Sequence, residues 1–314
     1  IMYKQDSRLE VHRLLESLKN ADNLVIRNIG VKTRFHVLIF CNNDANQASL
    51  QAAETMTPLF IPGVDKITLI HIAKQPKDVP KAQKLLMMFE PSDHLMKVEK
   101  VVLIQPAGVT LVDYMIQVVR DKNPDLVVMG SEKLSRFDPD VKANGAKASG
   151  MGSVALSMVR RCKKSMFIFK AGSMMLESQK PRTKWLVSVH QANMGLLRFC
   201  SKVMNSDKDT LLLARVTPQP TSEEERMSAK LLDAFEDEAV AHGLTPYISH
   251  IRGSVHKKMH VGQELAKVAK EARANVMCVQ VAEHLEPSES VQTMLKSAGS
   301  GVLIYKERKK NPGP

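Results

Sequence analysis

Apolar residues in this chain follow two rhythms. Short unbroken runs alternate with stretches in which apolar positions recur every third or fourth residue. The first rhythm predicts strands buried on both faces, the second amphipathic helices laid against them. In the first half, runs at 36–41, 66–72, 97–105, 126–130 and 166–170 predict strands. Helices are expected between them over 46–56, 79–90 and 109–122, and from Gly152 onward. After a break at Pro181-Arg182-Thr183 the alternation starts again. Strands are expected at 184–189, 210–216, 246–252, 275–281 and 301–306, with helices over 194–204, 222–242, 257–273 and 288–297. Strand and helix in strict alternation call for a parallel sheet covered on both sides, an α/β architecture.

The second round echoes the first. Asp65-Lys66-Ile67-Thr68-Leu69 answers to Asp207-Lys208-Asp209-Thr210-Leu211, and Pro124-Asp125-Leu126-Val127-Val128 to Ala274-Asn275-Val276-Met277-Cys278. Met166-Phe167-Ile168-Phe169-Lys170 answers to the stretch from Gly301 to Lys306. The period is about 140 residues, the size of a domain rather than of a solenoid repeat. The expected plan is a lead-in at 1–35, a first domain at 36–171, a linker at 172–183, a second domain at 184–306 and a basic tail at 307–314. Leu9, Leu14, Leu15 and Leu18 predict an amphipathic helix near 7–20 in the lead-in.

Composition narrows the chemistry. The 314 residues carry a net charge of +12, which favours acidic partners such as nucleic acid, a membrane surface or acidic protein tails. A merely solvated basic surface is the plainer alternative. Aromatic residues make up only 4% and no nucleic-acid module is recognisable, so nucleic-acid contact would be unspecific. Cys41, Cys162, Cys200 and Cys278 lie far apart without a CxxC pair, which argues against zinc or thioredoxin chemistry and for buried, reduced thiols. No apolar run reaches membrane-spanning length, and no charged-then-apolar leader opens the stretch, which begins Ile1-Met2.

The stretch from Asp125 to Lys170 organises the rest. A strand ends at Gly130, a polar loop follows, and Gly152-Ser153 opens a helix. Strand end, loop and helix N-terminus together offer backbone donors and a dipole to a phosphate. Here the chain resembles the universal stress protein family. Its text GSVALSMVRRCKKSMFIF follows the family pattern GSVxxxVLRxxxxPVLVV, and the resemblance spans roughly 36–171 and 184–306. It implies two tandem doubly wound, Rossmann-like domains, each with a five-stranded parallel sheet. It also implies that the last strands of the two domains pair, Met166 to Lys170 beside Gly301 to Lys306.

Members that bind ATP or AMP carry the motif G-x2-G-x9-G-(S/T). By resemblance, domain 1 would hold the nucleotide with Asn42, Ile72, Gly130, Ser131, Gly152, Ser153 and Val154. It departs from the pattern in three ways: Lys133 stands at the second glycine, Asn42 (with Asp44 close by) replaces the usual Asp, and the loop is longer. Gly145 and Gly150 could substitute within that loop. Domain 2 departs further. His190 stands for the Asp, the strand through Cys278-Val279-Gln280-Val281-Ala282 lacks its Gly, and Glu289 is read in place of the helix-start Gly. A carboxylate there would repel phosphate.

Other constellations carry less. His256 and His260 would share a helix face, but without a third ligand they suit an exposed basic surface beside Lys257, Lys258 and Lys267. His71 and His190 read as core or edge residues. No G-x-S-x-G elbow, no GxxxxGK[ST] and no Ser-Gly-Gly-x-Asp-Ser-type loop is present, so no enzyme is expected. The loop 131–151, with Arg136, Lys142 and Lys147, reads as a tolerated insertion or as an arm that orders on an acidic partner.

The preferred expectation is a non-catalytic, universal-stress-protein-like scaffold. It would be cytoplasmic, engaging protein partners in a larger acidic assembly, either cytoskeletal (axonemal microtubules) or ribonucleoprotein. The alternative is a stress-response protein binding ATP or AMP through domain 1. A hydrolase of the same broad fold ranks third.

Overall fold

The computed structural model describes residues 35–41, 48–61, 64–90, 96–131, 152–170, 183–190, 194–204, 209–218, 221–244, 248–255, 261–282 and 287–307. The expected helix at 7–20, Asn42 and Asp44, the loop residues 132–151, residues 172–182 of the expected linker at 172–183, the pair His256 and His260, and residues 308–314 of the expected tail lie outside them.

Ten strands alternate with eight helices in the described chain. The first half contains β1 (His36–Phe40), α1 (Ala48–Met56), β2 (Lys66–Ala73), α2 (Val79–Met87), β3 (Val98–Ile104), α3 (Leu111–Lys122), β4 (Leu126–Ser131), α4 (Ser153–Arg161) and β5 (Ser165–Lys170). The second contains β6 (Lys184–Ser188), α5 (Gly195–Val203), β7 (Thr210–Pro218), α6 (Ser222–Ala241), β8 (Ile248–Val255), α7 (Val261–Glu271), β9 (Val276–Ala282), α8 (Glu289–Ser297) and β10 (Gly301–Glu307).

Local signals set the ends of several helices. The Thr110 hydroxyl accepts from Asp113 N–H ahead of α3, Arg120 and Lys122 close its last turn, and Asn123 leaves it in the left-handed region at φ 45°. Thr221 and Glu224 form a reciprocal capping box at α6, whose first turn carries Glu223, Glu224 and Glu225. Helix α2 ends at Met87, three residues before the expected end at residue 90.

All ten strands lie in one sheet, ordered β3-β2-β1-β4-β5-β10-β9-β6-β7-β8. Within each half every pairing is parallel. The halves meet where β5 and β10 pair antiparallel, Val302 opposite Ile168 and Ile304 opposite Met166. The described residues, all from Phe35 onward, form one compact unit.

One apolar core lies on each face and runs through both halves. The first gathers Leu50 and Met56 of α1, Leu86 of α2, Leu197 of α5 and Phe235 of α6. The second gathers Met115 of α3, Met158 of α4, Leu265 of α7 and Met294 of α8. Phe35 bridges the join on the first face. Its ring lies 5.8 Å from Phe60 and 5.6 Å from Phe199, which in turn lies 5.4 Å from Tyr305. All four cysteines are buried and free.

The repeat is written into the hydrogen bonds as well as the topology. Asp65 Oδ1 accepts from Phe35 N–H, and Asp209 Oδ1 accepts from Thr183 N–H. Asp125 Oδ2 accepts from His36 N–H, and Asn275 Oδ1 from Lys184 N–H, both at 2.8 Å. Lys66 faces His36 and Thr210 faces Lys184, so Asp65 corresponds to Asp209. The sequence echo that matched Asp65 to Asp207 is therefore two residues out of register. The Asp207-Lys208 pair in the sequence mimicked the true match.

Asp209 also accepts from the indole N–H of Trp185, at 3.0 Å, in the buried interior. Replacing it by Ala strands both donors. Asp209→Ala is expected to cost roughly 2 kcal/mol, read as a lower urea midpoint by the fluorescence of Trp185, the chain's single tryptophan.

Candidate functional site

In an open α/β sheet, ligands sit outside the C-terminal ends of the strands, where the strand order reverses. Each half has such a crevice, between β1 and β4 in the first and between β6 and β9 in the second.

The first crevice gathers five of the seven expected residues. Gly130 and Ser131 end β4, and Gly152, Ser153 and Val154 begin α4. Gly130 is buried, and a Cβ there would lie 2.3 Å from Ser49 N and 2.5 Å from Ala48 C. The glycine lets α1 lie directly on the strand. The Ser131 hydroxyl is buried and accepts from Gly152 N–H at 2.9 Å, tying the strand end to the helix start. Gly152 is the extended N-cap of α4 and supplies no side-chain cap. Ser153 is exposed, and half-buried Val154 packs on the second core. Ile72 packs on the same core from β2, two strand positions from β4. Asn42 lies outside the described residues.

This crevice fits an adenine nucleotide only in part. One N–H that the motif would offer to phosphate, that of Gly152, is already bonded to Ser131. The rest of the first turn of α4 has no side-chain acceptor and keeps the dipole of a helix N-terminus.

His71 belongs to the same end of the sheet. It is buried, and its ring hydrogen-bonds to the backbone of Cys41, which raises its pKa. Burial is the larger effect and lowers it below 6.5. Arg215 holds the corresponding register position in the second half, and its guanidinium donates to the carbonyls of Val189 and His190. Each side chain ties down the strand end beside it.

The second crevice is built otherwise. Gln280 stands at the register position of Gly130, and its amide donates to Glu307 Oε2 at 2.6 Å. Helices α4 and α8 end in matching hydrogen bonds, Cys162 N–H to Met158 O and Ala298 N–H to Met294 O. Ser288 therefore holds the position of Gly152, and Glu289 that of Ser153. Reading Glu289 in place of the glycine was off by one, because without the glycine the sequence has nothing to mark the helix start. The Ser288 hydroxyl caps Val291 N–H itself.

Beyond these residues lies a cavity of about 490 Å³. Leu196, Phe235, Leu265 and Met294 wall it, and Ser188, His190, Gln280 and Glu307 supply polar edges. Helices α7 and α8 touch above it, where a Cβ on Gly262 would lie 1.9 Å from the Ser290 carbonyl oxygen. His190 is an exposed residue at the edge of the cavity, and its ring nitrogen lies 2.7 Å from the Ser188 hydroxyl. Desolvation, with Arg215 second, lowers its pKa below 6.5. Sequence reasoning treated this half as a decayed site and missed the cavity. The signal available was the missing glycine at Gln280.

Among the described residues no group of three His, Cys, Asp or Glu side chains could hold a metal ion. None of the described helices is long and apolar enough to cross a membrane.

The sequence matches no family model and no curated protein. Among solved structures, it is similar to a universal stress protein from Archaeoglobus fulgidus, with a TM-score of 0.60 at 15% identity, over 89% of this chain and 99% of that one. It is also similar to a candidate universal stress protein from Pseudomonas aeruginosa, with a TM-score of 0.56 at 13% identity, over 89% of this chain and 95% of that one. The fold is the universal stress protein fold. At this identity the likeness is one of architecture.

Two outcomes test this geometry. Gly130→Ala forces α1 off the strand and is expected to lower stability by about 1–3 kcal/mol, whereas Gln280→Ala in the second half costs less; paired urea titrations compare them. His71 is held neutral by burial, so the unfolded chain binds its proton more readily. The stability it contributes is present above pH 6.5 and is lost as pH falls through its lower folded value. His71→Asn should flatten the fall in urea midpoint between neutral pH and pH 5.

Proposed function

We propose that this chain is a non-catalytic scaffold that docks on the acidic surface of a larger assembly, a cytoskeletal filament or a ribonucleoprotein. The observation that carries the reading is an unneutralised cationic face beside exposed apolar groups. Lys77, Lys81, Lys84 and Met88 follow one another at four, three and four residues along and around α2, one side of a helix. Lys74 lies just ahead of them. All four lysines are exposed, and none is in an ion pair among the described residues. Asp78, between them, is turned to its own backbone, accepting from Gln75 N–H. Met87 is 68% and Met88 55% exposed. Lysines with methionines suit an acidic partner that also offers apolar contact. The engagement of motif residues in the fold supports the same reading: Gly130 serves the contact with α1, and Ser131 holds Gly152.

The test is co-sedimentation with microtubules and with ribonucleoprotein particles across a salt series. Association with one of them should weaken as salt rises. The variant K77E/K81E/K84E should lose about tenfold or more in affinity. Absence of salt-sensitive association with either, or binding indifferent to that variant, would overturn the proposal.

A second reading, ATP or AMP held in the first crevice, draws on the uncapped start of α4 beside Gly130 and Ser131. Denaturing the purified chain and chromatographing the supernatant tests it. Near-stoichiometric adenine nucleotide would support it, and an empty chain that also ignores added ATP would end it.

A further inference from the structure

We infer that the cavity of the second half is a binding site for an uncharged, mainly apolar molecule with one hydroxyl, and that it turns away nucleotides and other ions of either sign. Its volume of about 490 Å³ is that of a small-molecule pocket. Its apolar walls come from both cores: Leu196 and Phe235 belong to the first, Leu265 and Met294 to the second. Each of these side chains is at most 2% exposed, so the walls lie below the protein surface. Ser188 ends β6 and Ala282 ends β9, which places the space at the C-terminal strand ends.

Two positions shape it. Where Gly130 admits a helix backbone in the first half, Gln280 projects a side chain from the second. Above it, α7 and α8 are in backbone contact at Gly262 and Ser290, which closes the roof.

The lining selects against charge. None of the described lining residues is a lysine or an arginine, and desolvation keeps His190 uncharged at neutral pH. The Arg215 guanidinium is committed to Ser228, Val189 and His190. The start of α8, which would receive a phosphate, is capped by Ser288 and followed by Glu289. An anion would give up its hydration here and gain no cation in return. A cation fares no better. Glu307, the one carboxylate among the described lining residues, already accepts from the Gln280 amide at 2.6 Å and takes part in a further interaction. Its charge serves the link between β9 and β10, and an ammonium would have to compete for it. What the lining offers is a neutral acceptor: the Gln280 side chain gives an N–H to Glu307 and keeps its carbonyl oxygen for a donor. A hydroxyl placed there needs no counter-charge, and the apolar body behind it lies against Leu196, Phe235, Leu265 and Met294.

Calorimetric titration of the full chain with 2-(1-naphthyl)ethanol, 2-(1-naphthyl)ethylamine, 1-naphthylacetate and AMP tests the assignment. The first three share one skeleton and differ in charge. The alcohol should bind one to one, at least tenfold more tightly than the amine or the acid, with AMP weaker still. Val291→Trp fills the cavity from a half-buried position and should abolish alcohol binding while circular dichroism stays unchanged. Gln280→Met keeps the side-chain length without the carbonyl, and should bring the alcohol down to the affinity of 1-ethylnaphthalene, which has no hydroxyl. Equal or tighter binding of the amine, the acid or AMP would overturn the ligand class, and a lead of the alcohol over 1-ethylnaphthalene that survives Gln280→Met would overturn the role of Gln280. Alcohol binding unaffected by Val291→Trp would overturn the site, as would no binding of any naphthyl compound at millimolar concentration.

Discussion

The antiparallel pairing of β5 with β10 is the constraint on which the structure depends. An isolated first half would end at β5 with a row of unpaired backbone groups, and an isolated second half would end at β10 in the same state. Pairing the two removes both edges and makes one sheet of ten strands. It also brings the apolar layers of both halves into register, so that each face carries one core instead of two. The contact from Phe35 through Phe199 to Tyr305 follows from it. In a chain with 4% aromatic residues, placing aromatics at this seam concentrates packing where two repeats must recognise each other.

Given that frame, the two crevices diverge through single positions. The same register site holds Gly130 in one half and Gln280 in the other. The first choice brings a helix onto the strand, and the second sends a polar side chain toward β10. The helix start differs in the same way, Gly152 against Ser288. Neither change touches the cores, which is why the fold can persist while the crevices separate in character. The histidine and arginine at matching positions, His71 and Arg215, show the same latitude: unlike side chains each hold a neighbouring strand end.

Most of the architecture was legible in the sequence. Buried parallel strands are short and continuously apolar, and the runs from His36 to Gly301 declared themselves by that rhythm. Element ends shifted by a few residues, as at α2, where the apolar pattern continues past Met87 into a turn. Register was less legible. Asp65 was matched to the wrong aspartate because local sequence likeness competes with ladder pairing, and only the ladder is physically binding. The first crevice was found through its glycines, with Gly130, Ser131, Gly152, Ser153 and Val154 brought together and Ile72 placed on the same layer. The glycine at 130 proved to serve helix packing, a role that spacing alone cannot distinguish from phosphate approach. The second crevice was hidden because spacing in the sequence reveals motifs, and a cavity lined by Leu196, Phe235, Leu265 and Met294 has none: its walls come from four different helices.

Strand polarity at the seam has one more consequence. Because β5 and β10 run in opposite directions, all strands of the first half point one way and all strands of the second half the other. The C-terminal strand ends, where the crevices form, therefore face opposite poles of the molecule. Whatever occupies one crevice stands clear of whatever approaches the other, and the sheet between them is a continuous rigid rib. Because β5 and β10 overlap along their length, the two crevices stand one strand length apart along the strands and four strands apart across the sheet, a spacing fixed by the ladder rather than by a flexible tether.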